Sequence, residues 1–434
     1  MFPLSLFSSI LKLPRAFMQL LYNFLIRLSY AAIWCLQVVS PKLKTFVRGR
    51  TQSFPKLTNH LQPHDKTMWF HCASLGEFEQ GLPIMEAMKK AYPAFKIVVS
   101  FFSPSGYEVK KDAPIADVVV YLPWDTPSNA KRFVTLVKPS FAFFVKYEFW
   151  PNYLKELKSK EVPTFLVSGL FRPKQLFFKS YGGFYRNALG NFDHFFLQNT
   201  ASETLLHGIG LTNTTVSGDT RFDRVAKQIE MDNTVPLAEQ FVQDKLCLVC
   251  GSTWPEDETV LLPFLQDLPE GVRCILAPHH VDAATIRRLQ TALGEKSLLY
   301  SEAKQRLQKP EATILIIDNI GLLSKLYSYA DIAYVGGAMG STGLHNILEP
   351  ATFGVPIVIG KNIEKFPEAK RLRQLAGLYV VDRAAACTER LQHFIQDKTF
   401  REKTGMIAGH YINSNTGATA TILDFLQKHY TVTA

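Results

Sequence analysis

The stretch GGAMGSTGLHNILEPATFGVPIVIG, Gly336 to Gly360, reads as a glycine-rich turn, a short helix and an apolar strand. It follows another apolar strand, Asp331 to Val335, so the unit is strand, turn, helix, strand, the module of a parallel α/β sheet. Glycines at 336, 337, 340 and 343 allow positive φ and close backbone approach, and the free N–H groups of a following helix favour an anion. A phosphate suits that setting. The spacing is neither GxGxxG nor GxxxxGK[ST]. A tight turn with close packing explains the same glycines. His345, Asn346 and Glu349 favour the nucleotide reading, because they place three polar side chains at the mouth of an otherwise apolar unit.

Outward from this unit, strand-like and helix-like segments alternate along the chain. Strands are expected at Thr67 to Ala73, Lys96 to Phe102, Asp117 to Tyr121, Phe141 to Tyr147, Thr164 to Val167 and His194 to Gln198, with helices such as Glu77 to Ala91 and Trp150 to Lys160 between them. A polar stretch with Pro236, Ala226 to Asp244, reads as a linker. The alternation then resumes at Leu246 to Cys250, Arg273 to Ala277, Thr313 to Ile317, Ile332 to Val335 and Ile357 to Ile359. Two doubly wound, Rossmann-like α/β domains facing a cleft follow, with ligands expected beyond the carboxyl ends of the strands.

With 434 residues, 47% hydrophobic and 20% charged, the chain has enough apolar material for two cores. A net charge of +10 implies an acidic neighbour. No nucleic-acid motif is present and the basic residues cluster near the N-terminus, which favours an anionic membrane surface over nucleic acid. Cys247 and Cys250 form a CxxC with no second pair, on an expected strand, so the reading is buried thiols in a reducing compartment. There is no DxD and no metal-ligand spacing. Glu256-Asp257-Glu258 reads as the solvated first turn of a helix, and no metal or other cofactor is expected.

Ala16 to Val39 is long enough to cross a bilayer core of about 20 residues. Its polar members are periodic, with Gln19, Asn23, Arg27 and Gln37 on one stripe and Phe17, Leu20, Phe24, Leu28 and Ala31 on another. Arg27 at the bilayer centre would cost about 3 kcal/mol, so an interfacial pose is favoured over a span. Lys42, Lys44, Arg48, Arg50 and Lys56 then place the body on the cytoplasmic side. An amphipathic core helix is the competing reading.

Three further motifs end strands in the first half. Ser74-Leu75-Gly76-Glu77 puts a carboxylate in a first helical turn, where the helix dipole favours its ionised form and suits a general base. An ordinary N-terminal glutamate fits the same position. Tyr147-Glu148-Phe149-Trp150-Pro151-Asn152 places Glu148 at a strand end, with Trp150 read as core. Ser217-Gly218-Asp219-Thr220-Arg221-Phe222-Asp223 offers Arg221 as a cation towards the cleft, or as a member of a surface ion pair.

Together with Pro278-His279-His280 and His345 to Pro350, these motifs resemble, in order and context, those of the 3-deoxy-D-manno-octulosonic acid (Kdo) transferases, over a region from the N-terminal helix to about Leu375. The resemblance implies a GT-B glycosyltransferase that moves Kdo from CMP-Kdo to a lipid A precursor at the cytoplasmic face of the cell inner membrane. It implies a membrane-associated helix at 1–45, an acceptor domain at 46–228 and a CMP-sugar donor domain at 229–434, with the last helix packing back on the acceptor domain. It makes Glu77 the general base and Glu148 and Arg221 transition-state stabilisers. CMP contacts fall on Pro278, His279, Ile320, Gly321, Leu322, Gly340, Ser341, Gly343, Asn346, Ile347, Leu348 and Glu349. The chain departs from the family pattern at His279 (usually arginine), Ile320-Gly321-Leu322 (usually Met-Gly-Glu), Lys146 (usually glutamate) and Arg221 (usually lysine). Other GT-B enzymes, such as a heptosyltransferase or a UDP-sugar epimerase, and a membrane-tethered binding module are the alternatives.

Overall fold

The computed structural model describes residues 15–306 and 312–430. The first 14 residues of the expected membrane helix, and 307–311 and 431–434 of the expected donor domain, lie outside the described residues. The chain separates into two compact units, Met1–Arg224 with Gly417–Ala434, and Val225–Thr416. The break falls inside the helix Thr220–Ala226 rather than at 228/229. The stretch read as a linker is structured: a turn of 3-10 helix, Lys227–Glu230, precedes the helix Pro236–Val242, whose Leu237, Ala238, Phe241 and Val242 are buried.

The first unit carries strands β1 (Thr67–Cys72), β2 (Lys96–Phe101), β3 (Val118–Tyr121), β4 (Pro139–Val145), β5 (Thr164–Gly169), β6 (His194–Leu197) and β7 (Thr214–Val216). They form one seven-stranded sheet in the order β3-β2-β1-β4-β5-β6-β7, and every pairing is parallel. Helices cover both faces, so β1, TMWFHC, is buried along its whole length and shows no polar alternation. Met68, Phe70 and Cys72 enter one core with Phe143 and Val145, whereas Trp69 enters the other with Phe144 and Tyr153. The winding direction reverses between β1 and β4, and the crevice at such a reversal is where ligands of open α/β sheets bind.

The helix Arg15–Leu36 lies against this unit by its polar stripe. Gln19 Nε2 donates to Asn152 Oδ1 (3.0 Å), Asn152 Nδ2 donates to Asn23 Oδ1 (3.0 Å) and the Tyr22 hydroxyl donates to Asp125 Oδ2 (2.7 Å). Its other stripe, with Phe17, Leu20, Phe24 and Leu28, is exposed, Leu20 at 67%. Arg50, read with the membrane-facing basic run, is instead 5% exposed. Its guanidinium lies 3.6 Å from the Phe46 ring centre and donates to Phe102 O at 2.7 Å, and burial pulls its pKa down to about 10.

The helix Ala418–His429 returns to the first unit, packs on the helix Leu75–Ala91, and adds Ile422 and Leu426 to the core beneath β1. Asp223 holds its start, accepting from Gly417 N (2.6 Å), Thr419 N (2.7 Å) and Thr419 Oγ1 (2.7 Å). Asp223→Ala is expected to cost about 1–2 kcal/mol, the scale of a lost N-cap reinforced by the helix dipole. Thermal unfolding of the full chain should show a lower midpoint, and an unchanged midpoint would remove the clasp.

The second unit carries β8 (Leu246–Thr253), β9 (Val272–Pro278), β10 (Ser297–Leu299), β11 (Ile314–Ile316), β12 (Ile332–Val335), β13 (Ile357–Ile359) and β14 (Leu378–Val380), in the parallel order β10-β11-β9-β8-β12-β13-β14. Cys247 and Cys250 lie on β8, buried and unpaired. Here the reversal falls between β8 and β12, which end at Trp254 and at the glycine-rich turn.

Candidate active site

At the first reversal, β1 delivers Ser74 and Glu77 and β4 delivers Tyr147 and Glu148. Glu77 is half-buried in the first turn of the helix Leu75–Ala91, and the Ser74 hydroxyl donates to its Oε2. Lys146 leaves β4 at φ 69°, a left-handed conformation that side chains other than glycine rarely adopt, and so redirects the chain before Glu148.

Glu148 is held from below by a chain of donors. The Trp69 indole N–H donates to Ser100 Oγ (2.8 Å), and His71 Nδ1 lies 2.8 Å from that hydroxyl and 3.1 Å from the Ser100 carbonyl oxygen. His71 Nε2 lies 3.0 Å from Glu148 Oε2, and the Trp150 indole N–H stands between them, 2.8 Å from that oxygen and 2.9 Å from His71 Nε2. His71 is fully buried. Sequence reasoning missed it, although a histidine inside the wholly apolar run of β1 was a usable signal. Trp150, read as core, is half-buried and serves as a donor to the carboxylate.

Arg221 does not stand alone. Its Nε and Nη2 donate to Asp219 Oδ2 at 2.9 and 2.8 Å, and Gln80 donates to Asp219 Oδ1 at 3.1 Å. Burial raises the Asp219 pKa, but the guanidinium and these hydrogen bonds outweigh it and hold the carboxyl below its ordinary value. The charges of Glu77, Asp219, Arg172 and Arg221 all reach Tyr147, whose pKa burial pushes up first and the two carboxylates push further. Glu77 and Glu148 likewise add to the effect of burial on the Cys72 thiol. The Tyr147 hydroxyl is buried with no hydrogen-bond partner, an open donor at the centre of this cluster.

In the second unit the turn after β12 is packed more tightly than an open cradle. A Cβ on Gly336 would lie 2.3 Å from Ser252 O, and one on Gly337, at φ 93°, 2.1 Å from Gly343 O. Asp257, expected in a solvated turn, is wholly buried, accepting from Trp254 N (3.0 Å), Gly337 N (2.7 Å) and the Tyr334 hydroxyl (2.9 Å). Glu258 is buried too, paired with Arg288. Glu256 alone of the three is exposed. The N–H of Gly337 is therefore spent on Asp257 and that of His345 on Gly336 O, leaving Gly340 to Gly343 as the accessible part of the turn. The following helix starts only at Leu348, spans 5 residues and has its first N–H taken by Asn346 Oδ1 (3.2 Å).

His279, just after β9, stacks on Trp254 at 4.4 Å and 18°, and lies 4.6 Å from the His345 ring. The Trp254 indole donates to His345 Nε2 at 2.9 Å. The three rings make an aromatic shelf next to Pro278, with His279 stacked on Trp254 and tilted 37° to His345, of a kind against which a nucleobase or ribose can rest; Trp254 was not singled out in the sequence. Asn346 is exposed and donates to Glu349 Oε1 at 3.1 Å, whereas Ile347 and Leu348 are buried core residues. Ile320 is 88% exposed and Gly321 takes φ 99°, so Ile320 to Leu322 forms a prominent loop after β11. Among the described residues no group of three or more His, Cys, Asp or Glu is arranged to hold a metal ion.

Burial, and then the neighbouring His279, lowers the His345 pKa to about 4, and His279 is lowered by burial and His280. Below the ordinary value of 6.5 the unfolded chain takes up a proton that folded His345 refuses. The stability present above pH 6.5 is therefore lost as pH falls towards about 4. His345→Gln, which keeps an acceptor, should lose less of its unfolding temperature between pH 7.5 and 5 than the parent. Equal losses would place the proton uptake elsewhere.

The family described as "3-Deoxy-D-manno-octulosonic-acid transferase (kdotransferase)" matches residues 47–224. Curated Kdo transferases are similar over both units. That of Chlamydophila psittaci is 27% identical over 73% of this chain and 74% of its own length. That of Haemophilus influenzae is 25% identical over 85% and 88%, and that of Aquifex aeolicus 26% over 83% and 95%. The chain is thus similar to Kdo transferases, through the family match in its first unit and through curated relatives over both units. It is accordingly a glycosyltransferase. Its architecture is that of GT-B proteins. A UDP-GlcNAc 2-epimerase of Neisseria meningitidis superposes with a TM-score of 0.61 over 84% of this chain and 100% of that one, at 14% identity. MurG of Acinetobacter baumannii gives 0.51 over 84% and 99%, at 13%. At such identities the likeness carries the fold alone.

Proposed function

We propose that the chain transfers Kdo from CMP-Kdo to a lipid A precursor in one inverting step, with Glu77 as base. The observation that carries this reading is the delivery of Glu77 and Glu148 by β1 and β4 to the two sides of the reversal in the unit matched by the family. The acceptor hydroxyl gives its proton to Glu77 as its oxygen bonds to the anomeric carbon of Kdo. The bond from that carbon to the phosphate oxygen breaks on the opposite face, and its electron pair leaves with CMP. Glu148, held by His71 and Trp150, faces the positive charge developing on the sugar. Arg221, partly neutralised by Asp219, supplies a directional donor to the departing anion. The aromatic shelf of Trp254, His279 and His345 would seat the nucleoside, with Gly340, Ser341, Gly343 and Asn346 beside it.

Incubation with CMP-Kdo and a lipid A precursor should release CMP and add Kdo mass to the lipid. CMP release from CMP-Kdo with no gain in lipid mass would refute the transfer.

The reaction is placed at the cytoplasmic face of the inner membrane, with the helix Arg15–Leu36 lying in the interface. Gln19 and Asn23 of its polar stripe are bonded to Asn152, and Tyr22 beside them to Asp125, which supports the interfacial pose over a span. Each exposed Leu or Phe contributes about 1.5–3 kcal/mol on burial in lipid, so Phe24→Asp with Leu28→Asp should cut membrane partitioning by roughly 100-fold or more. Vesicle co-sedimentation of the full chain measures this, and undiminished binding would rule the exposed stripe out as the anchor.

A further inference from the structure

We propose that a cavity beside the carboxyl end of β4 receives an acyl chain of the lipid acceptor; this rests on the transfer proposed above and concerns how that site holds its substrate. The cavity has a volume of about 560 Å³ and lies wholly within the first unit. Ile26 of the N-terminal helix forms one wall, Phe149 and Trp150 another, and Leu176, Phe177 and Tyr185 close the rest. A volume of this size is that of an ordinary small-molecule site.

The chemistry of the lining selects the guest. Several of its polar atoms are already engaged: the Tyr22 hydroxyl donates to Asp125, the Trp150 N–H to Glu148, and Gln175 Oε1 accepts from Arg172 N at 2.7 Å. The walls left to a guest are mainly the apolar faces of Ile26, Phe149, Trp150, Leu176 and Phe177, which suit a hydrocarbon better than a sugar. Glu148 and the unpartnered Tyr147 hydroxyl mark the reacting end, and exposed Lys174 offers a cation to an anionic headgroup.

The position of the N-terminal helix explains how such a guest arrives. One face of that helix lines the cavity through Tyr22 and Ile26, and its other face exposes Leu20, Phe24 and Leu28. An acyl chain can therefore follow this helix from lipid into the cavity while staying on apolar surface. Each methylene taken from water into such a site raises affinity about 4-fold.

The test uses the full-length enzyme at a fixed detergent concentration, with CMP-Kdo and either the acylated acceptor or the same sugar stripped of its acyl chains. The parent should favour the acylated acceptor by about 10-fold or more in kcat/KM. Leu176→Trp, at a half-exposed position, and Ile26→Trp both fill the cavity. Each should reduce that ratio at least several-fold, mainly through KM, provided that its unfolding temperature matches the parent. A parental ratio near one overturns the proposal. So does a ratio that survives in a folded variant, since the chains are then held by detergent or lipid alone. Absence of transfer to either acceptor by the parent would instead sink the underlying reaction, and the inference with it.

Discussion

Glu77→Gln is expected to lower turnover by roughly 10²–10⁴-fold, the usual contribution of a positioned general base. The amide keeps the size of the carboxylate and still accepts from Ser74, but has no affinity for the acceptor's proton. Because Glu77 lies in the first unit, CMP affinity should change less than 2-fold, which equilibrium titration with CMP can measure. A variant that still turns over at the parental rate would eliminate Glu77 as the base. A variant that loses CMP binding would indicate a folding defect rather than lost chemistry.

Asp257→Ala should destabilise the chain by about 3 kcal/mol or more, since it strands three donors, Trp254 N, Gly337 N and the Tyr334 hydroxyl, in a buried setting. The effect should extend to the donor side, because the same carboxylate ties the turn after β12 to the start of the Trp254 segment. Weaker CMP binding together with a lower unfolding temperature is the expected pair of results. Asp257→Asn, which keeps an acceptor but brings its own donors, should fall between the two. Parental stability in Asp257→Ala would mean that the turn holds its shape without the carboxylate.

Both sheets were legible in the sequence, because strands buried on two faces read as continuous apolar runs that alternate with helical patterns. The three-residue strands β10 and β14 were not, although β11 and β13, equally short, were. The placement of Glu77 and Glu148 at strand ends was also legible, since position after a strand is a local property. What escaped was set by distant parts of the chain. Asp257 and Glu258 look like the solvated start of any helix until Tyr334, Gly337 and Arg288 are brought to them. Arg50 sits in a basic run that reads as membrane-facing, yet the rings of Phe46, Phe102 and Trp124 enclose it. His71 and Trp254 carried no motif of their own, and their roles follow only from hydrogen bonds to residues 77 and 91 positions away.

The clasp between Asp223 and the helix Ala418–His429 sets an order of events during synthesis. The helix that bears Glu77 lacks its packing partner until the last stretch of the chain has emerged from the ribosome. Growth from the N-terminus therefore leaves the half that carries Glu77 waiting, with an unfilled apolar seat, while the other half is translated. A premature stop near residue 416 would accordingly harm the part of the protein made first.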